Sequence, residues 1–519
     1  MSTISGKPGL QSINARQWLI LLAVQLSSLL FGMTITLANV VLPQIRGALS
    51  TTHDEIAWVV TLNLAATAVA TPTTGWLASR LGSRGVTFGG VAGFTLFSLL
   101  CGLANSLETL VLYRVGQGLC GAVIMPMGQA IVLATFAREL HAAVMVIWGF
   151  GSVVGPVVGP VIGSMIAEIY SWRAVFLMIV PPGLIAMCFV WVSLAGNTAH
   201  TRARLDWTRF MALSVAMIAL QLLIDRGQWL DWFESSEIIA YAAVAANAFW
   251  VFVVHSLTSP TPFLDPRLLL NRNFAIGLLI AFFMGMLAFT SLVLFPTLLH
   301  DLRGYPDSTI GELLAARGVG NWVAFLVVVP ISRRFPRLTV ALGLTAQSFA
   351  AWQMGQLNLN LTSFDVFWTN ALQGFGFGLA FTPMTVLAFA TLPAGQITEA
   401  SGVFTLVRNF GSSLFISLSI ALLVRSTAAN YARMVEFINL FNGTLKGPGV
   451  PAAWDIGTTS GLIRLANEVQ RQASMIGYIN AFYLIALTAA IAVPLQQLLE
   501  FPNHIASGGD TGRCGRTRA

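Results

Sequence analysis

The sequence predicts an all-helical integral membrane protein with two six-helix halves and two additional membrane-spanning helices. Of its 519 residues, 56% are hydrophobic and only 9% are charged, whereas a soluble domain carries about 25% charged residues. Apolar windows of about twenty residues recur along nearly the whole chain, and a helix of that length crosses ~30 Å of hydrocarbon. A soluble multidomain protein is therefore excluded.

An internal repeat indicates that one half of the chain duplicates the other. A Gly-Met pair begins eleven positions before a proline twice, at Gly32 with Pro43 and at Gly285 with Pro296. A Gln-Gly pair followed by Pro-Met also occurs twice, starting at 117 and at 373, with one residue inserted in the second copy. Many secondary transporters are built from two such halves, with the substrate near the membrane midplane. The repeat therefore predicts a transporter.

Fourteen spans are predicted, and the charges between them give the topology. Arginine and lysine concentrate in the loops on one side, which the positive-inside bias assigns to the cytoplasm. Both termini are accordingly predicted to be cytoplasmic, in a multi-pass membrane protein. The spans cover residues 17–40, 55–78, 86–105, 108–135, 143–168, 173–195, 208–225, 237–256, 274–299, 309–332, 338–358, 364–391, 402–425 and 473–499.

The spans divide the chain into four predicted regions. An N-terminal six-helix half covers 1–200, an inserted helix pair 201–260 and a C-terminal six-helix half 261–500. The last half contains a polar outer loop, 426–472, and residues 501–519 form a Gly- and Arg-rich cytoplasmic tail predicted to be disordered. The inserted pair is joined by the loop DRGQWLDWFESSE, whose first residue is Asp225.

Two motifs in the first half place glycine and arginine where membrane helices meet. The loop between spans two and three reads GWLASRLGSR, and its Gly75 and Gly82 permit close helix approach and a tight turn. Arg80 and Arg84 are suited to anchor the cytoplasmic face, as positively charged loops do in general. The fourth span reads LYRVGQG, and its Arg114 costs several kcal/mol inside the membrane unless it is paired or faces water.

The fifth span carries the most specific motif, GSVVGPVVGPVIGS from 151 to 164. Its glycines recur at every fourth position and form one smooth helix face for close packing. Its two prolines delete backbone hydrogen bonds and kink the helix. The central residues of the motif are Gly155, Pro156, Gly159, Pro160 and Gly163.

Together these motifs resemble the major facilitator superfamily, in particular its fourteen-span EmrB/QacA group of drug:proton antiporters. The resemblance runs from TLANVVLP in the first span to VRNFGSSLFISL in the thirteenth. It implies a gate latch at the loop 75–84, where Ser79 replaces the usual acid, a functional buried arginine at Arg114 and an antiporter motif in the fifth span.

The same resemblance implies an activity and a set of partners. The expected activity is proton-driven efflux of lipophilic or amphiphilic toxic compounds by alternating access, as in multidrug resistance. The expected partners are those small substrates, protons and membrane lipid. EmrB-like exporters also work with a periplasmic adaptor and an outer-membrane channel, and such partners are implied here by resemblance alone.

One departure from the group concerns the proton-carrying acid. The group holds an aspartate in the first span, and alignment on ANVVLP places Thr34 there, or Gly32 if the register slips. Neither residue carries a proton. Glu312 and Arg317, about a turn and a half apart on the tenth span, are predicted to form an intramembrane ion pair. With Arg114 they are the candidates for proton coupling.

The predicted substrate cavity combines polar and aromatic side chains from otherwise apolar spans. Such polar side chains either line a cavity or hydrogen-bond between helices, and the sequence leaves both roles open. Aromatic walls suit bulky, lipophilic substrates. The cavity candidates are Phe31, Thr34, Asn39, Gln129, Phe289, Gln373 and Arg408.

The sequence offers no pattern for an enzyme, a metal or a cofactor. Its cysteines and histidines lack metal-site spacing, the Gly-rich segment 149–163 lacks the lysine of a phosphate loop, and no Ser-His-Asp set is evident. The net charge of +7 comes from short membrane loops, so nucleic acid is not an expected partner. Two alternatives stay open: an exporter of one metabolite or siderophore without proton coupling, and a degenerate transporter that acts as a receptor.

Overall fold

The structure is a computed structural model that describes residues 13–51, 53–137, 140–194, 206–227, 230–258, 266–439, 442, 454 and 457–498. These residues form α-helices and short 3-10 turns, and no β-strand occurs among them. In chain order the helices are α1 Ala15–Leu49, α2 His53–Ala70, α3 Thr74–Gly102, α4 Leu107–Gly121, α5 Ile124–Thr135, α6 His141–Ile169, α7 Trp172–Leu177, α8 Val180–Ser193, α9 Trp207–Gly227, α10 Ser236–Thr258, α11 Arg272–Arg303, α12 Asp307–Arg334, α13 Pro336–Met354, α14 Ser363–Phe389, α15 Ile397–Val435 and α16 Thr459–Ala492.

The described helices are consistent with the predicted fourteen spans. Twelve stretches are long and apolar enough to cross a membrane, judged by length and composition. One of them, Trp58–Gly102, is 45 residues long and bends at Gly82, whose φ of 73° and ψ of 160° are not helical. This bend divides the stretch into two spans. The remaining predicted span, 338–358, corresponds to the 19-residue helix α13, which is ~28 Å long but is not among the twelve stretches.

Helix pairing repeats between the two halves. Helix α1 packs against α6 and α8, as α11 packs against α15 and α16. Helix α4 packs against α2 and α3, as α14 packs against α12 and α13, and the contact of α3 with α8 is matched by that of α13 with α16. Each of these pairings in the first half thus has a counterpart in the second, as expected for a duplicated half.

The inserted helices α9 and α10 pack on each other, and α9 lies against both halves through α2 and α15. The predicted region boundaries at 200, 260 and 500 fall within ranges outside the described residues, as does the tail 501–519. These boundaries therefore stay predictions. The flanks of the predicted outer loop 426–472 are helical, because α15 continues to Val435 and α16 begins at Thr459.

Local sequence signals explain where several helices begin. Ser106 accepts a hydrogen bond from the Thr109 backbone amide at the start of α4. At the start of α14, Thr362 and Asp365 form a reciprocal capping box, so Asp365 serves the helix end. Successive spans alternate in direction. We call the membrane face at which α1 begins the first face and the opposite one the second face.

Candidate functional site: a central cavity with two arginines

A cavity lies between the two halves, near the middle of the helices. Helices α1, α5 and α6 line it from the first half, and α11, α12, α14 and α15 line it from the second. Arg408, one of its lining residues, lies eleven residues into α15, or ~16 Å from the helix start at 1.5 Å per residue. This is the position at which transporters of this architecture hold substrate.

The cavity wall is mainly apolar and aromatic. The large side chains that line it include Phe31, Met125, Phe289, Leu292 and Phe377. A wall of this kind buries the apolar body of a small molecule and leaves orientation to a few polar groups.

The charged side chains among the described lining residues are both arginines, Arg317 and Arg408. Arg317 on α12 is only 2% exposed. Its Nη1 donates to the Ser291 hydroxyl at 2.6 Å and to the Gln373 side-chain oxygen at 3.1 Å, and its Nη2 donates to the Leu287 carbonyl at 3.3 Å. Three helices, α11, α12 and α14, thus fix the guanidinium at the cavity.

Arg408 on α15 is held far more loosely. Its Nη2 donates to the neighbouring Asn409 oxygen at 3.5 Å, the limit of a hydrogen bond, and its guanidinium carbon lies 5.7 Å from the ring centre of Phe381. Its Nε is buried and has no hydrogen-bond partner among the described residues. Burial of such a donor is costly unless a partner arrives.

A third buried arginine, Arg114 on α4, lies away from the lining residues and is 1% exposed. Its Nη1 donates to the Gln117 side-chain oxygen at 2.6 Å and its Nε to the Val59 carbonyl at 3.3 Å. Gln117 in turn donates to the Ser98 hydroxyl at 2.6 Å, and Asn63 donates to the Arg114 carbonyl at 2.7 Å. Arg114 therefore ties α2, α3 and α4 together inside the first half.

The internal repeat relates the clusters around Arg114 and Arg317. At the two pairs of equivalent positions, one half has arginine where the other has asparagine. A Cβ added to Gly118 would lie 2.5 Å from the Asn63 carbonyl oxygen, and one added to Gly374 would meet the Arg317 carbonyl oxygen. Asn63 and Arg317 are thus equivalent positions. The offset of 256 residues that relates Gln117 to Gln373 also relates Arg114 to Asn370. The first half carries its arginine on α4, whereas the second carries it on α12, where it reaches the cavity.

Sequence comparison decides the family. Residues 25–416 match the profile of the Major Facilitator Superfamily. The chain belongs to this superfamily. It is a multi-pass membrane transporter with the superfamily fold, as the sequence predicts.

Several characterised members of the superfamily are similar over most of the chain. The fatty acid resistance protein FarB of Neisseria gonorrhoeae is 29% identical over 91% of this chain and 94% of its own length. The multidrug export protein EmrB of Escherichia coli is 29% identical over 86% of this chain and 91% of its own length. The structure of the proton:xylose symporter XylE gives a TM-score of 0.58 at 13% identity, covering 93% of this chain and 99% of that one, and this likeness shows the fold.

The predicted antiporter motif on α6 packs directly on α1. A Cβ added to Gly155 would lie 2.5 Å from the Leu29 carbonyl oxygen, and one added to Gly159 would lie 2.7 Å from the Met33 carbonyl oxygen. A Cβ at Gly163 would be in tight contact with Leu37 at 3.3 Å. The predicted smooth glycine face is therefore present, and it brings two backbones into contact.

The two prolines of this motif have a defined consequence. Because Pro160 has no amide hydrogen, the Pro156 carbonyl four residues earlier lacks its helical donor. The Thr36 hydroxyl of α1 donates to that carbonyl at 2.8 Å. Pro156 also lines the cavity, so the motif joins α1 to α6 beside the binding space.

The superfamily loop 75–84 reaches the opposite half through Gly75. A Cβ added there would lie 3.2 Å from the Cα of Glu399 at the start of α15. Gly82 forms the turn, with the positive φ that favours glycine.

The arginines of this loop pack on aromatic rings of their own half. The guanidinium carbon of Arg80 lies 5.5 Å from the Trp76 ring centre, and that of Arg84 lies 3.9 Å from the Trp191 ring centre. These ring contacts anchor the loop to the first half. The contact described above with α15 of the second half is made by Gly75.

The two halves touch on both sides of the cavity. Towards the first face, the Ser401 hydroxyl contacts the Gln129 side-chain oxygen and the Pro126 carbonyl, each at 3.0 Å. Towards the second face, a Cβ added to Gly311 of α12 would lie 3.1 Å from the Cα of Val161 on α6. Gln129, a predicted cavity residue, thus belongs to the contact on the first face.

The other predicted cavity residues divide into two groups. Phe31, Phe289 and Arg408 line the cavity. Gln373 lies directly behind it, where it accepts the hydrogen bond from Arg317. The side chain of Asn39 lies outside the described part of the chain.

The ion pair predicted for proton coupling is absent from the described residues, and Thr34, at the position of the missing acid, bonds within its own helix. The Thr34 hydroxyl donates back to the Leu30 carbonyl at 2.9 Å. The predicted ion pair of Glu312 with Arg317 is not formed, because the Glu312 side chain is exposed whereas Arg317 is buried among its own partners. Five residues at about 100° each place the two side chains ~140° apart around α12.

Sequence reasoning missed Asp225, which it placed in a joining loop. The structure places it within α9, partly buried, where its carboxylate accepts from Gln221 at 2.9 Å and from the Ser417 hydroxyl of α15 at 3.4 Å. Thr61 of α2 also hydrogen-bonds to it, and Gln221 donates to Ser413 of α15 at 2.6 Å. The spacing of Gln221 and Asp225, four residues apart on one helix face, was the signal available in the sequence.

Proposed function

We propose that this transporter exports lipophilic or amphiphilic toxic compounds across the bacterial inner membrane, driven by protons. The observation that carries the proposal is the apolar, aromatic cavity enclosed between two repeated halves. The antiporter motif on α6, which packs on α1 beside this cavity, supports export. The names of EmrB, a multidrug export protein, and FarB, a fatty acid resistance protein, support amphiphilic cargo.

The topology and partners of the proposed exporter follow from the same resemblance. The first face is the cytoplasmic one and both termini lie there, since the arginine-rich loops are on that side. The helical extensions of α15 and α16 then project from the second face. A periplasmic adaptor and an outer-membrane channel are the proposed partners of this face.

The proposed mechanism is alternating access, in which the contacts on the two faces open in turn. Locking either contact should stop transport. The pairs Gly75→Cys with Glu399→Cys and Gly311→Cys with Val161→Cys bring Cβ atoms within disulfide reach on the first and second face, respectively. They would be built in a chain whose Cys101, Cys120, Cys188 and Cys514 are replaced by serine.

We expect each disulfide to abolish dye efflux from vesicles and a reductant to restore it. The cysteine-free chain under the same oxidant serves as the control. Sustained efflux with either disulfide fully formed would show that this contact does not open during transport.

For proton coupling we propose Asp225 as the carrier. It contacts α2 of the first half and α15 of the second, so rocking of the halves would change its hydrogen bonds. Everted vesicles loaded with a pH-sensitive dye should release protons when substrate is added. We expect Asp225→Asn to abolish this release, and Glu468→Gln, which removes a carboxylate paired with Arg471 on α16, to leave it intact.

Other outcomes would correct the proposal. Proton release that is lost in Glu312→Gln and kept in Asp225→Asn would make Glu312 the carrier. Substrate movement without protons would favour the uncoupled exporter of one specific compound, which the missing first-span acid also suggests. Substrate binding without any flux would identify a receptor.

A further inference from the structure

We propose that the central cavity selects organic anions, namely small amphiphiles with an apolar body and a carboxylate or similar acidic group. This deepens the proposed function and rests on it for the direction of transport. The binding site itself rests on the charges of the cavity wall. Both charged residues among its described lining residues are cations, Arg317 and Arg408.

The buried charge of Arg317 favours an anionic ligand. A charged side chain inside the membrane is expensive unless it is paired or meets water. The described partners of Arg317 are the neutral oxygens of Ser291, Gln373 and Leu287. They orient the guanidinium, but they do not cancel its charge. A bound anion would.

Arg408 has hydrogen-bond donors that a ligand could engage. Its planar guanidinium offers five N–H donors in a fork that matches a carboxylate. Its described contacts engage few of these donors. Nη2 makes one hydrogen bond of 3.5 Å, and the buried Nε lacks a partner among the described residues. A ligand carboxylate at the cavity would supply the missing acceptors.

The remaining wall suits the apolar body of such a ligand. Phe31, Phe289 and Phe377 line the cavity with aromatic rings. Walls of this kind suit a fused aromatic or branched aliphatic body, while the acidic group faces the arginines. A bulky cation would place its charge beside two guanidinium groups and lose affinity through repulsion.

Anionic cargo also changes the charge carried in each transport cycle. Exchange of one proton moving inwards for a monovalent anion moving outwards transfers two positive charges inwards. The same exchange for a monovalent cation transfers none. An inside-negative membrane potential therefore drives export of an anion directly, which lowers the dependence on an acid at the position of Thr34.

The test is equilibrium binding of three matched probes to purified protein in lipid nanodiscs, measured by calorimetry. Naphthylacetate, naphthylethanol and naphthylethylammonium share one ring system and carry negative, zero and positive charge. Empty nanodiscs measure partitioning into lipid. We expect naphthylacetate to bind on the order of tenfold or more tightly than the other two, as for hydrogen bonds to charged groups.

Two variants test the role of Arg408 separately from folding. Arg408→Gln should lower the affinity for naphthylacetate towards that for naphthylethanol, since Arg317 then remains as the one charged residue among the described lining residues. Asn409→Asp preserves side-chain shape and places a carboxylate beside Arg408, so it should weaken the anion and strengthen the cation. Far-ultraviolet circular dichroism and the unfolding midpoint confirm that each variant is folded.

The inference is overturned if the wild-type protein binds naphthylethylammonium at least as tightly as naphthylacetate. Anion affinity that is unchanged in folded Arg408→Gln and Asn409→Asp would overturn the assigned site. Failure of the proposed function looks different. Naphthylacetate would then bind with the expected pattern, yet vesicles would not transport it.

Discussion

The two buried arginine clusters are built alike and face different surroundings. Arg114 bonds to Gln117, and Arg317 bonds to the equivalent Gln373. Arg114 is enclosed by α2, α3 and α4, whereas Arg317 lines the cavity. The exchange of arginine and asparagine between equivalent helices accounts for this difference. In a duplicated fold, one arginine can therefore hold helices together within its own half, while the other faces the substrate cavity.

The largest expected effect separates these two roles. Arg114→Met should lower the free energy of unfolding by about 2–4 kcal/mol, because the Gln117 oxygen and the Val59 carbonyl lose a donor in a buried setting. The affinity of the folded fraction for naphthylacetate should stay the same. Arg317→Met should lower both stability and affinity. Denaturant unfolding and calorimetry in parallel measure the two quantities.

The control for this prediction is Arg464→Met, which changes an exposed arginine on α16. It should alter stability by no more than about 0.5 kcal/mol. If Arg114→Met reduced affinity as strongly as Arg317→Met at equal folding, the division of roles would be wrong.

Replacing the glycines that pack against each cluster should have a smaller effect on stability. Gly374→Ala pushes a methyl group against the Arg317 carbonyl, and Gly118→Ala pushes one against the Asn63 carbonyl. Each should cost about 1–3 kcal/mol of stability, as overpacking does, and Gly374→Ala alone should also weaken naphthylacetate binding. Thermal unfolding and calorimetry measure both.

Gly89→Ala is the matched control, because no atom lies within 4 Å of its added Cβ. There alanine should stabilise α3 by about 0.5–1 kcal/mol through its helix propensity. Equal losses at all three glycines would contradict the packing argument.

The smallest effect comes from recreating the first-half arrangement in the second half. Arg317→Asn combined with Asn370→Arg places a guanidinium three residues before Gln373, as Arg114 stands before Gln117. The double variant should regain about 1–2 kcal/mol of the stability lost in Arg317→Asn. Its anion affinity should stay at the lowered level of Arg317→Asn, since one of the two lining guanidinium groups has left the cavity and the other alone remains. Returning affinity, or stability no better than that of the single variant, would count against the repeat.

Much of the fold could be predicted from the sequence, because membrane spans appear as long apolar segments and close-packed glycines recur at a regular spacing. The glycines of α6 contact α1 as their spacing indicates, and Phe31, Phe289 and Arg408 reach one cavity. The pairing of Glu312 could not be judged from spacing alone, since five residues along α12 turn the side chain away from Arg317. Asp225 was missed because its partners on α2 and α15 are distant in sequence.

The most direct test is a structure of the protein in nanodiscs with a brominated naphthylacetate, determined by electron cryomicroscopy. We expect the carboxylate at the guanidinium groups of Arg317 and Arg408, with the brominated ring among Phe31, Phe289 and Phe377. A carboxylate bound at Arg114, or bound in the cavity away from both Arg317 and Arg408, would contradict this prediction.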